Sequence, residues 1–112
     1  MSVIVVTPDP AGLLRTVKDL MTSGKIDTWS VDKDGDFTHT PPQWNRKAWL
    51  RPAVEPDRIV FHILTPKGTN MSGTMYAIYH GRFIEMLLTH VDKKFSIAWA
   101  TALPTSGDIV RA

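Results

Sequence analysis

Thr74-Met-Tyr-Ala-Ile-Tyr-His-Gly-Arg-Phe-Ile-Glu-Met-Leu-Leu-Thr-His-Val-Asp-Lys-Lys-Phe95 is the longest apolar-periodic stretch of the chain. Ile84, Leu87, Leu88 and Val91 recur at helical spacing, and Met75, Tyr79, Phe83, Met86 and His90 form an adjoining stripe. Arg82, Glu85, Thr89 and Asp92 make the polar side. So wide an apolar arc predicts a deeply buried helix, capped by Ser72 or Thr74. Gly81 costs such a helix about 1 kcal/mol relative to alanine. An alternative reading makes residues 75–79 a strand and starts the helix near His80; both readings place helix over residues 82–92.

The flanks of this stretch read as strands. Residues 58–65, Arg-Ile-Val-Phe-His-Ile-Leu-Thr, are nearly continuously apolar and predict a central strand. Residues 95–102 alternate and predict the last one. At the other end of the chain, Val3 to Val6 is a β-branched run stopped by Pro8. Leu13, Leu14, Val17, Leu20 and Met21 then form one helical stripe, opened by Thr7 or Asp9 and closed by Gly24. Residues 28–40 alternate around an Asp-Gly turn. A three-residue loop of Lys33, Asp34 and Gly35 pairs Val31 with Phe37, which gathers Trp29, Val31, Phe37 and His39 on one face. Residues 48–54 predict a short strand, which Pro52 would confine to an edge.

The resulting order is β-α-β-β-(β)-β-α-β. It predicts an α+β fold: a mainly antiparallel sheet of about five strands with two helices packed on one face, a two-layer sandwich. Residues 1–112 read as one domain, with 104–112 a flexible tail.

Composition narrows the function classes. The hydrophobic fraction of 43% and charged fraction of 21% suit a globular chain. No cysteine is present, which excludes a disulfide framework, a thiolate zinc site and thiol catalysis. The apolar run near the start is too short for a signal peptide or a membrane span, so a cytoplasmic location and no membrane partner are expected. A net charge of +2 is only mildly basic.

Four groups of side chains are candidates for chemistry. Asp32-Lys-Asp-Gly-Asp-Phe-Thr38 resembles the first half of an EF-hand calcium loop, but Phe37 stands where the turn glycine belongs and Gln43 where the bidentate glutamate belongs. It reads as an acidic hairpin turn, so no metal is expected. The histidines are His39, His62, His80 and His90. On one helix His80 and His90 lie about 80° and roughly 15 Å apart, too far to share a metal. His62 reads as a structural strand residue. Arg82, after Gly81, offers a fork for phosphate or carboxylate. The plainer reading packs the helix closely through Gly81 and pairs Arg82 with Glu85. Trp44, Arg46, Lys47, Trp49 and Arg51 interleave aromatics with cations, as single-strand binders and protein interfaces both do.

No phosphate loop, nucleophile elbow or His-Glu-x-x-His is present. The expectation is therefore a small non-enzymatic binding or accessory protein, without catalytic residues or cofactor, engaging a protein partner or a second copy as a homodimer. The contact surface would be the sheet face opposite the helices or an edge strand. Its candidate residues are Trp44, Arg46, Lys47, Trp49 and Arg51, with His80 and Arg82. One alternative is a single-stranded nucleic-acid binder using the same basic and aromatic segment. Another is a small hydrolase or metal-dependent enzyme using His39, His80 or His90 with Asp36 or Asp92.

Overall fold

A computed structural model describes residues 1–69 and 71–109. The chain runs β1 (Ser2–Val6), α1 (Pro10–Thr22), β2 (Trp29–Val31), β3 (Phe37–His39), β4 (Trp49–Val54), β5 (Arg58–Leu64), α2 (Gly73–Val91), a 3₁₀ turn (Asp92–Lys94) and β6 (Ile97–Ala100). The strands form one open antiparallel sheet of order β2-β3-β4-β5-β1-β6. The α+β architecture expected from the sequence is present, with six strands where about five were expected.

Local signals account for the elements. Asp9 caps α1 by accepting from the Gly12 N–H at 3.1 Å, with Pro10 in the first turn. Leu13, Val17 and Met21 are the buried stripe, and Gly24 follows the helix at φ 81°, the left-handed conformation that stops it. The hairpin has the expected register, Val31 opposite Phe37 and Trp29 opposite His39. The Asp32 carboxylate accepts the N–H groups of Asp34 and Asp36, so it holds the turn itself. Residues 75–79 are helical, within a single α2 capped by Ser72.

Pro52 does not put β4 at an edge. That strand lies between β3 and β5, pairing with β5 along its whole length. It pairs with β3 only at Phe37↔Leu50, so its second half has an open side where a missing N–H costs nothing.

One face of the sheet carries the core. Val3, Val5, Phe37, Leu50, Ile59, Phe61 and Ile63 are buried under Tyr79, Phe83 and Leu87 of α2 and the α1 stripe. Phe83 is the centre: its ring lies 4.7 Å from Phe61, 5.0 Å from Trp29 and 5.8 Å from Phe37. The other face alternates outward through Ala53, Val60, Ile4 and Trp99, which neighbour one another across four strands. Val6 and Ile97 sit beside that row.

Candidate functional sites

The helix α2 brings part of the histidine set together. A cleft of about 460 Å³ opens between α2 and the β2–β3 hairpin, lined by His39, Arg82, Glu85, Thr89 and His90 over Trp29. His39 Nδ1 lies 2.7 Å from the Thr28 carbonyl, which can only accept, so Nδ1 carries the proton. Nε2 lies 3.1 Å from Arg82 Nη1, which can only donate, so the Nε2 lone pair is occupied by the guanidinium. Burial pushes the His39 imidazole below its ordinary value; the Thr28 carbonyl opposes this and Arg82 adds to it. His39 is thereby held neutral in one tautomer with its basic nitrogen covered. A general base needs that lone pair open to the substrate.

Arg82 thus reaches across to the hairpin, not along the helix to Glu85. Gly81 is exposed, and a Cβ there would meet nothing within 4 Å. The expected close packing through Gly81 and the Arg82–Glu85 pair are both absent, because the helix turns a different flank to the sheet.

The remaining acid/base candidates lie elsewhere. His80 is buried, with Nδ1 at 2.6 Å from the Tyr76 carbonyl and Nε2 at 2.6 Å from the Met1 carbonyl, so it ties α2 to the start of β1. Asp36 is buried on the hairpin and receives both Nε and Nη2 of Arg51, at 2.9 and 2.8 Å. Asp92 ends α2. Among the described residues no group of three His, Cys, Asp or Glu side chains could hold a metal ion.

The basic and aromatic segment is divided. Trp44 packs partly against the core, and its carbonyl accepts from the Tyr79 hydroxyl. The same hydroxyl lies 3.2 Å from Thr38 Oγ1 and 3.4 Å from the Ala48 N–H, which fastens the loop to α2. Arg46, at φ 61°, donates its backbone N–H to Thr38 Oγ1. Arg46 and Trp49 line a groove of about 590 Å³ whose opposite wall holds Asp32 and Asp34. Lys47 is exposed, and Arg51 is paired with Asp36. A phosphate backbone approaching this groove would meet carboxylates as well as cations.

One polar cluster could not be read from the sequence. Ser2, His62, Thr105 and Asp108 meet at one corner of the outer sheet face. Ser2 Oγ donates to Asp108 Oδ1 at 3.0 Å, and His62 Nδ1 lies 3.2 Å from Ser2 Oγ and 3.3 Å from Asp108 Oδ1. The residue types are those of a hydrolytic triad, but the wiring is not. A relay needs the serine and the carboxylate on opposite ring nitrogens, whereas here both meet Nδ1. Asp108 also accepts from the Ile63 and Thr105 N–H groups and pairs with the Met1 amino group. Burial pushes its carboxyl up, but the bonds from Thr105, Ser2 and Met1 outweigh this and hold it below its ordinary value. The cluster anchors residues 105–109: Ile109 bridges to Leu64 beside β5, and Gly107 lies against the His62 ring. Within the stretch read as a tail, residues 110–112 lie outside the described residues. Ser2 and His62 are 60 positions apart and meet only through the β1–β5 register, which no local pattern reveals.

Comparisons with protein-family models, curated proteins and solved structures find no match for this chain.

Proposed function

We propose that this protein is a non-catalytic binding module whose contact surface for a protein partner is the open face of the sheet. One observation carries the reading: β1 is apolar on both faces. Val3 and Val5 fill the core, yet Ile4 and Val6 point the other way and are half-buried. An antiparallel strand with one wet face ordinarily alternates apolar with polar, and two-sided apolar character belongs to strands covered on both sides. Ala53, Val60 and Trp99 extend the apolar row to the neighbouring strands, and no helix covers it among the described residues. Arg51 and Arg58 stand around it, each beside its own acid, Asp36 and Asp57. An apolar centre with arginines around it is the composition of a protein-binding patch.

The occupied His39 lone pair and the wiring of the Ser2–His62–Asp108 cluster favour binding over hydrolysis. The acids facing Arg46 and Trp49 favour a protein partner over a single-stranded nucleic acid.

Site-specific photo-crosslinking in cells tests this reading. A benzoyl-phenylalanine at Val60 is expected to give one discrete adduct, which Ile4→Lys abolishes, while the same group at Arg15 on α1 gives none. Equal labelling from both positions, or none from either, refutes it.

A further inference from the structure

The two edges of the sheet are unlike. The β2 edge is three residues long and flanked by Asp27, Asp32, Lys33 and Asp34, the charges that keep an edge from pairing. The β6 edge, Ile97-Ala-Trp-Ala100, has none of these guards. No charged residue occurs between Lys94 and Asp108, and no proline or lysine lies within the strand. Ile97 is 53% exposed, Trp99 37% and Leu103 75%, so three of the large apolar residues most open to solvent lie on this strand or just beyond it.

The backbone of β6 has an unused side. The Thr101 N–H donates to the Ser2 carbonyl at 2.9 Å, and bonded positions alternate along an antiparallel pair. Trp99 and Thr101 therefore turn their N–H and C=O toward β1, while those of Ala98 and Ala100 point away from the sheet; the alternation ends at Ser96, whose N–H donates to the Val6 carbonyl at 2.9 Å. No strand lies on that side among the described residues.

The helix above it continues the surface. Arg82 reaches His39 on β3 from one flank of α2, and His80 reaches Met1 at the start of β1 from the other. At about 100° per residue, Ala77, Ile84 and Leu88 lie beyond His80, on the β6 side. Leu88 is 55% exposed, Ala77 is exposed and Ile84 is half-buried. A neutral apolar wall thus runs from the strand edge to the helix.

We infer that a second copy of this chain docks on that wall, pairing β6 with β6 about a two-fold axis normal to the sheet. The unused groups allow a closed register: Ala98 opposite Ala100 of the second copy and Ala100 opposite its Ala98, which forms four backbone hydrogen bonds. Trp99 then faces Trp99 of the second copy on the axis, at the close spacing of a non-bonded cross-strand pair. The same rotation sets the two α2 helices antiparallel, each bringing Leu88 and Ile84 to the seam. Because the wall is uncharged, a second copy meets no like charge there, and a charged partner would find nothing to pair with. This inference rests on the edge and the α2 flank; it shares Trp99 with the open face, whose centre at Ile4 and Val60 stays available.

Sedimentation equilibrium of the full chain tests it. The mass is expected to rise from 12.6 kDa toward twice that value between about 1 μM and 1 mM, the range of a modest interface. Ala98→Pro removes an outward N–H and Leu88→Glu charges the helix flank. Each is expected to weaken dimerisation at least about tenfold while leaving the far-ultraviolet spectrum and the melting temperature of the monomer unchanged. With no native cysteine to interfere, Trp99→Cys is expected to crosslink to itself under mild oxidation and Ile97→Cys is not. A monomer at all concentrations overturns the inference. So does a dimer that survives both Ala98→Pro and Leu88→Glu, or one lost only with Val60→Lys, which would place self-association on the open face.

Discussion

Tyr79→Phe isolates the bond that holds the loop between β3 and β4. The ring is fully buried and a phenylalanine fills the same space, so only the hydroxyl is lost. That hydroxyl donates to the Trp44 carbonyl and receives the Ala48 N–H at 3.4 Å, while Thr38 Oγ1 keeps its separate bond to the Ala48 carbonyl at 2.9 Å. The variant therefore leaves one half-buried carbonyl and one buried N–H without this partner. A net hydrogen bond contributes about 1 kcal/mol, and an orphaned buried group costs about 1–3 kcal/mol. A loss of about 2.5 kcal/mol follows, a large share of the roughly 5–15 kcal/mol that holds a domain folded. With an unfolding entropy of about 2.1 cal/mol/K per residue, a chain of 112 residues melts about 10 °C lower. Because the lost bond fastens the loop, trypsin should also cut sooner after Arg46 and Lys47, both exposed. Calorimetry and timed proteolysis measure the two effects. A shift below about 3 °C with unchanged cleavage would show that the loop is held by Trp44 packing alone.

Two further predictions concern His39 and the glycines. Burial lowers the His39 imidazole in the folded state, so below its ordinary value of 6.5 the unfolded chain takes up the proton more readily. Stability is expected to be full above that value and to fall as pH drops through the interval below it. Urea midpoints should show this slope in the wild type and a flatter one in His39→Gln; equal slopes would contradict the assigned burial. Gly81→Ala should raise stability by about 1 kcal/mol, since a Cβ meets open space on a helix. Gly107→Ala should lower it, because φ is +101° and the Cβ would come within 3.0 Å of the His62 ring. Thermal melts of the two variants moving in the same direction would refute this contrast.

Local pattern determined most of the fold. The stripes of α1 and α2, the Asp-Gly hairpin with its register, and β6 follow from side-chain spacing, because such an element turns its apolar residues to one side wherever it stands in the molecule; β1 and β5 follow from their β-branched and nearly continuous apolar runs. Ser72 and Asp9 marked helix starts for the same local reason: a capping side chain bonds an N–H three residues away. Tertiary structure decided everything that depends on which strand lies beside which. Pro52 read as an edge marker and lies instead in an inner strand, tolerated because β3 is too short to reach it. Arg82 read as a partner of Glu85 and bonds His39 from a distant element; its local pairing was a choice between nearly equal surface contacts, which a buried acceptor easily overrides. Asp36 and Arg51 found each other, and Ser2, His62 and Asp108 gathered, only once the sheet order was set. The stretch around Tyr79 was legible as the core of the fold. That its flank, together with β6, forms a bare wall could be seen only when the order of strands left β6 at the edge.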